Sequence, residues 1–142
     1  MAESIEEMQT RVTRFLIVES DAIIRGQLER LVLDADLGQS VSVGSIREAI
    51  QALDHEPVHI VISAWNLPGL ATGLALLRMV RGEDRFRHLG FVLLSEPSSD
   101  EGSKVRSARA AHVDGYLLKP VDEPALTSLL REVSLKVPDY SD

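Results

Sequence analysis

Short β-branched runs alternate along the chain with stretches whose apolar residues recur every three or four positions. The runs predict strands over Arg14–Val18, Val41–Val43, His59–Ser63, Gly90–Leu94 and Gly115–Leu118, each ending in polar or turn residues. Between them the three-and-four spacing predicts helices. Ile24, Leu28, Leu31, Val32 and Ala35 make the first stripe, with Ser20 or Asp21 as its cap and Gly38 as its stop. Ser45 caps a second helix carrying Ile46, Ala49, Ile50 and Leu53, closed before Pro57. A third starts at Gly73 or Leu74 and carries Leu74, Leu76, Leu77 and Val80. The fourth, capped from Ser98, Ser99 or Asp100, offers only Val105, Ala108 and Ala111 as apolar contacts and contains Gly102. An interior glycine costs about 1 kcal/mol relative to alanine, so this helix is the weakest of the set. Asp122 caps the last helix, which tolerates Pro124 in its first turn and carries Leu126, Leu129, Leu130 and Val133.

Five strands alternating with five helices imply an α/β fold, because right-handed crossovers force a parallel sheet covered on both faces. One domain is expected over residues 12–136, with flexible segments at 1–11, where a short frayed helix is possible, and at 137–142. A chain of 142 residues buries a core without staples. If the chain is full length, its short polar tail leads to the expectation of a stand-alone protein over a module cut from a longer one.

Charge and composition then remove whole classes of function. The net charge of −7 disfavours nucleic acid or an anionic membrane surface as a partner. Cysteine is absent, so thiolate metal sites and cysteine nucleophiles are excluded. The acidic N-terminus lacks a signal-peptide core, and no apolar run reaches the roughly 18 residues of a membrane span. A cytoplasmic protein is expected. The four histidines show no ligand spacing.

In an open α/β sheet, chemistry gathers beyond the carboxyl ends of the strands. Those ends present Glu19 and Ser20, Ala64, Ser95, and Lys119. An acid, a hydroxyl and a lysine could hold a phosphate and a divalent cation. Ala64, at the end of the central strand, can neither attack nor ligate.

Four motifs carry a resemblance. Phe-Leu-Ile-Val-Glu-Ser-Asp (15–21), Val-Ile-Ser-Ala-Trp-Asn-Leu-Pro (61–68), Val-Leu-Leu-Ser (92–95) and Gly-Tyr-Leu-Leu-Lys-Pro (115–120) stand in the order and spacing of a family. The chain resembles the receiver domain of two-component response regulators. The resemblance implies a flavodoxin-like (βα)5 sheet of strand order 2-1-3-4-5. It places Glu19 and Ser20 at the acidic pair, Ala64 at the phosphoacceptor aspartate, Ser95 at the switch hydroxyl, Tyr116 at the switch aromatic and Lys119 at the phosphate-binding lysine. It also implies partners: a histidine kinase, a phosphotransfer protein or an effector.

The departures from the family pattern bear on function. A receiver's aspartate is both nucleophile and metal ligand, and Ala64 removes both roles. Ser20 leaves the acidic pair with one carboxylate, so Glu19 and carbonyls such as that of Asn66 would hold magnesium weakly. The loop at 69–73 is one residue longer than the family's, and the run 95–102 about two residues longer. Ser63 and Asp21 are poor substitutes, since Ser63 faces away from residue 64 and Asp21 serves as a cap. What remains is an output side: Ser95 and Tyr116, the cationic Lys104, Arg106 and Arg109 on the fourth helix, and Ile23 on the first. The expectation is a degenerate receiver that is not an enzyme and acts by binding protein. A homodimer through helix 4, strand 5 and helix 5 is allowed by that reading. Phosphotransfer through a substitute residue, or a regulatory role in a longer protein, are its alternatives. A flavodoxin-like cofactor site is disfavoured, because Glu19-Ser20-Asp21-Ala22 has no glycine-rich phosphate cradle.

Overall fold

The structure, a computed structural model, describes residues 12–138. The flexible segment and frayed helix expected before Val12, and the tail from 139, lie outside the described residues. The strands are β1 (Arg14–Val18), β2 (Gln39–Val43), β3 (Ile60–Ala64), β4 (Gly90–Ser95) and β5 (Gly115–Leu118). The helices are α1 (Ala22–Asp34), α2 (Ile46–His55), α3 (Gly73–Gly82), α4 (Glu101–Ala110) and α5 (Glu123–Lys136). All strand pairs are parallel, in the order β2-β1-β3-β4-β5.

Strand alternation divides the core in two. Phe15, Ile17, Ile60, Ile62, Val92 and Leu94 pack under α1 and α5. Leu16, Val18, Val61, Phe91 and Leu93 pack under α2, α3 and α4. Covered on both sides, β3 is buried along all five of its residues, which is why Ile60, Val61 and Ile62 run on as apolar residues rather than alternating with polar ones.

Several expected boundaries move, each for a local reason. β2 begins at Gln39 rather than Val41, because Gln39 N donates to the Thr13 carbonyl at 2.9 Å and starts the ladder early. β3 begins one residue later than expected. His59 precedes it, buried, and its Nδ1 accepts from Arg14 N at 3.0 Å. α1 is stopped by Asp36, not Gly38. Asp36 takes φ 54°, and the bonds Asp36 N to Leu33 O and Leu37 N to Val32 O close a Schellman motif. Gly38 is needed for a different reason, since a Cβ there would lie 2.0 Å from the Thr13 carbonyl oxygen. Asp21, not Ser20, caps α1, its Oδ1 accepting from Ile23 N and Ile24 N. Asp100 and Asp122 occupy the cap positions of α4 and α5 without a side-chain cap bond. Ile50 is 37% exposed, at the margin of the α2 stripe. Val137, expected in the flexible tail, is instead buried among the α1–α5 core residues.

At the amino ends of the strands Arg81 ties three segments together. Its guanidinium donates to the carbonyls of His112, Arg87 and Leu89 and to Asp114 Oδ2, which also accepts from Phe91 N. The opposite, carboxyl edge is thereby left to carry the site.

Candidate functional site

The carboxyl ends of β1, β3, β4 and β5 bring together Glu19, Ala64, Ser95 and Lys119, as the sequence pattern predicts. Glu19 and Lys119 are the centre of the charge arrangement. Lys119 Nζ donates to Glu19 Oε1 at 2.7 Å, with side-chain exposures of 13% and 4%. In sheet order β3 and β4 stand between β1 and β5, so this bridge spans the ends of two strands. Ala64 lies at the end of one of them, 1% exposed, with only a methyl group to offer. The other Glu19 oxygen, Oε2, accepts from Asp21 N at 3.0 Å. Ser20 and Asn66 are exposed.

This donor set does not fit a resident magnesium ion. A hard cation needs several oxygen ligands, most of them charged. Here the one carboxylate has both oxygens engaged, its neighbour Ser20 is neutral, and Ala64 supplies nothing. Among the described residues no three His, Cys, Asp or Glu side chains gather in a group that could hold a metal. The suggested substitutes are occupied too. Ser63 is fully buried and its hydroxyl donates to the Ala64 carbonyl at 2.9 Å, while Asp21 caps α1.

Lys104 overturns an expectation. Grouped by sequence with Arg106 and Arg109 on an outward cationic face, it is instead 9% exposed and turned into the site. Its Nζ donates to Ser95 Oγ at 2.7 Å, Ser98 Oγ at 3.3 Å and the Glu96 carbonyl at 3.5 Å. The ammonium sits 5.1 Å from the centre of the Trp65 ring and 3.9 Å from Glu101 Oε1. The physical reason is helical spacing: positions 104, 108 and 111 share a face, and Ala108 is fully buried. Lysine's long stem lets an ammonium reach polar partners from a core-facing position. Arg106 and Arg109 lie off that stripe and are exposed.

Tyr116 joins the same cluster. Its hydroxyl donates to Glu101 Oε2, and its ring meets Trp65 edge-on at 6.2 Å between centroids. Burial, and then the hydrogen bond to the Glu101 carboxylate, push its phenol up to about 12.

Sequence reasoning missed Lys104 and Glu101 as members of the site, while Trp65, next to Ala64 in the chain, was expected to adjoin it. The signal was present in the i, i+3 pair Glu101/Lys104 and in the alignment of Lys104 with Ala108. The close Ser95–Lys104 pair has the composition of a nucleophile and base, yet Ser95 is buried, at 1% exposure, beneath the lysine that binds it. The arrangement suits holding elements in place more than chemistry.

Two outer features complete the picture. Ile23 is 74% exposed. Beside it on α1, a groove of about 440 Å³ is lined by Ile24, Leu28, Leu31, Pro120 and Val121, together with the polar Gln27, Lys119 and Glu123. Among the described residues no helix is long and apolar enough to cross a membrane.

Comparison with known proteins agrees with the fold and the strand-end motifs. The response regulator receiver domain family matches residues 15–131. The chain is 25% identical to chemotaxis protein CheY of Pseudomonas aeruginosa, over 87% of this chain and 98% of that protein. It is 32% identical to response regulator protein FleR of the same organism, over 86% of this chain and 24% of FleR. Among solved structures, a sensor protein from Polaromonas sp. JS666 superposes with a TM-score of 0.77 at 28% identity, covering 86% of this chain and 95% of that one. The CheY4 response regulator of Vibrio cholerae shares the fold, with a TM-score of 0.76 at 24% identity over 87% and 99% of the two chains. With this fold, these strand-end residues and a family match that runs from β1 into α5, the chain belongs to the response regulator receiver domains, the CheY-like modules of two-component signal transduction.

Proposed function

We propose that this receiver signals in the cytoplasm by binding protein partners and takes no phosphate at position 64. The observation that carries the reading is charge. Ala64 offers no nucleophile, and the two lysines that turn toward the strand ends are each matched by a carboxylate of the chain itself, Lys119 by Glu19 and Lys104 by Glu101. A pocket already neutralised in this way has no unmet charge for a phosphoryl group or its metal to satisfy. Partners of the expected kind are a histidine kinase or phosphotransfer protein at Ile23 and the α1 groove, and an effector or second copy at α4, β5 and α5, where Arg106 and Arg109 stand out.

A second reading, the same domain as regulatory module of a longer protein, draws support from the likeness to FleR, of which the matched part is 24%. It changes the setting of the site but not its chemistry.

Trp65, the chain's single tryptophan, packs against the site and reports on it. Acetyl phosphate or beryllofluoride with magnesium is expected to leave its emission unchanged. A saturable, magnesium-dependent change, or phosphate incorporated into the protein, would overturn the proposal.

A further inference from the structure

α4 lacks most of what usually holds a helix against a sheet. Its N-cap Asp100 makes no side-chain cap bond, and Gly102 interrupts its first turn. Ala108 is its one buried apolar side chain; the other buried residue is Lys104. An alanine removes little area from water, so apolar burial contributes little to fixing this helix. Polar contacts from its first turn take over. Lys104 binds Ser95, Glu96 and Ser98 and covers Trp65, while Glu101 binds the Tyr116 hydroxyl. One helical turn thus grips the end of β4 through its lysine and the middle of β5 through its glutamate. The two grips are themselves joined, since the Lys104 ammonium and the Glu101 carboxylate lie 3.9 Å apart.

We propose that Lys104 is an internal latch: its ammonium on Ser95 holds α4, the β4–α4 loop and the Tyr116 ring in a single arrangement without any outside ligand. A low-dielectric setting strengthens such a network when every member is satisfied and exposes it to collapse when one is removed. Among the described residues no buried side-chain polar atom lacks a partner. Removing the ammonium leaves the Glu101 carboxylate without its nearby cation and the Ser95 hydroxyl without its donor. The helix then keeps chiefly Ala108, its Ala111 cap and the Glu101 contacts, and α4 and Tyr116 move together. The latch stands on its own contacts, so it fails or survives independently of whether position 64 ever takes up phosphate.

The test is native-state hydrogen exchange on the full chain, with no phosphodonor or metal present. Lys104→Met keeps the length and apolar stem and removes the charge. It is expected to speed exchange across residues 101–110 by about tenfold or more, the loss of one hydrogen bond to a charged group, while β1 and β3 keep their protection. Ser95→Ala, a smaller change at the end of a strand, carries the same expectation and decides the matter if Lys104→Met does not fold. The Tyr116 ring signals are expected to broaden or double in either variant. Unchanged exchange in α4 together with an unchanged Tyr116 ring would overturn the latch. Faster exchange spread evenly over all strands would overturn it as well, since that is a loss of global stability and not the release of one element.

Discussion

Ala64 puts a methyl group at a point where a carboxylate, a hydroxyl and an ammonium come from neighbouring strand ends, and that substitution has a testable geometry. A64D introduces a carboxylate at the end of β3 but still leaves Ser20 neutral. A64D alone is expected to bind magnesium weakly, and S20D/A64D roughly tenfold more tightly, because affinity for hard cations follows the number of charged oxygens. Calorimetry with magnesium checks this. A double variant that binds no better than A64D would mean that Lys119 keeps Glu19 from the metal. Tyr116 offers a second residue-scale measurement. Its phenol is raised from 10.0 to about 12, first by burial and then by the Glu101 carboxylate. A raised value favours the protonated, folded form, so this contribution is complete below pH 10 and is lost as pH rises toward 12. In a Tyr140→Phe background, absorbance titration is expected to place Tyr116 near 12, and Glu101→Gln to lower it toward but not down to 10.0. A midpoint unmoved by Glu101→Gln would remove the hydrogen bond from the account. Residues at this scale were legible where the backbone dictates their place. Glu19, Ala64, Ser95 and Lys119 follow strand runs, so their convergence could be read from the order of strands. Lys104 was not legible as a site residue, because a lysine in so polar a helix reads as solvated until its alignment with Ala108 is weighed.

Among the elements, α1, α3 and α5 were readable because each carries a stripe of large apolar residues that has one place to go. The ends of elements were less so. Asp36 rather than Gly38 stops α1, since an aspartate tolerates the left-handed region well enough for a Schellman turn to form two residues earlier. The start of α3 shows how an element boundary bears on the site. Thr72 caps it, and Gly73 N donates to the Trp65 carbonyl at 2.8 Å, so the helix begins directly against the end of β3. A Cβ on Gly73 would stand 2.1 Å from the Ala64 carbonyl oxygen and 2.9 Å from Leu93 Cδ2. The first of these neighbours is backbone and cannot swing aside. Gly73→Ala is therefore expected to cost about 1–3 kcal/mol, an overpacking penalty, although alanine is the better helix former. It is also expected to shift Trp65 emission as α3 is pushed away. Urea unfolding measures the first and fluorescence the second; a stabilised protein would mean that α3 moves without strain.

For the molecule as a whole, the two helical layers present surfaces of different chemistry, and the proposed function assigns each a different kind of partner. On the α1–α5 side the exposed Ile23 stands beside the apolar groove of Ile24, Leu28, Leu31, Pro120 and Val121. An amphipathic helix laid against such a groove gains affinity from a few apolar anchors, and losing one costs about 2 kcal/mol. On the other side α4 shows Arg106 and Arg109, cations in a chain of net charge −7. Exposed charges of this kind steer encounter and set salt dependence more than they set affinity. Ile23→Glu is then expected to weaken binding to a kinase or phosphotransfer partner by at least tenfold, about 1.4 kcal/mol, with little change at high salt. R106E/R109E is expected to leave that complex intact and to slow association with an effector at low ionic strength, the difference vanishing as salt is raised. Pairwise binding kinetics against the partners recovered from the source cell distinguish these outcomes. If Ile23→Glu and R106E/R109E weaken the same complex equally, one partner spans both faces and the division between them is wrong. If the α4 pair acts equally at every salt concentration, those arginines are buried anchors of the complex. Both surfaces rest on elements fixed by the same parallel sheet, so on the proposed reading two separate faces remain for recognition whether or not position 64 takes up phosphate.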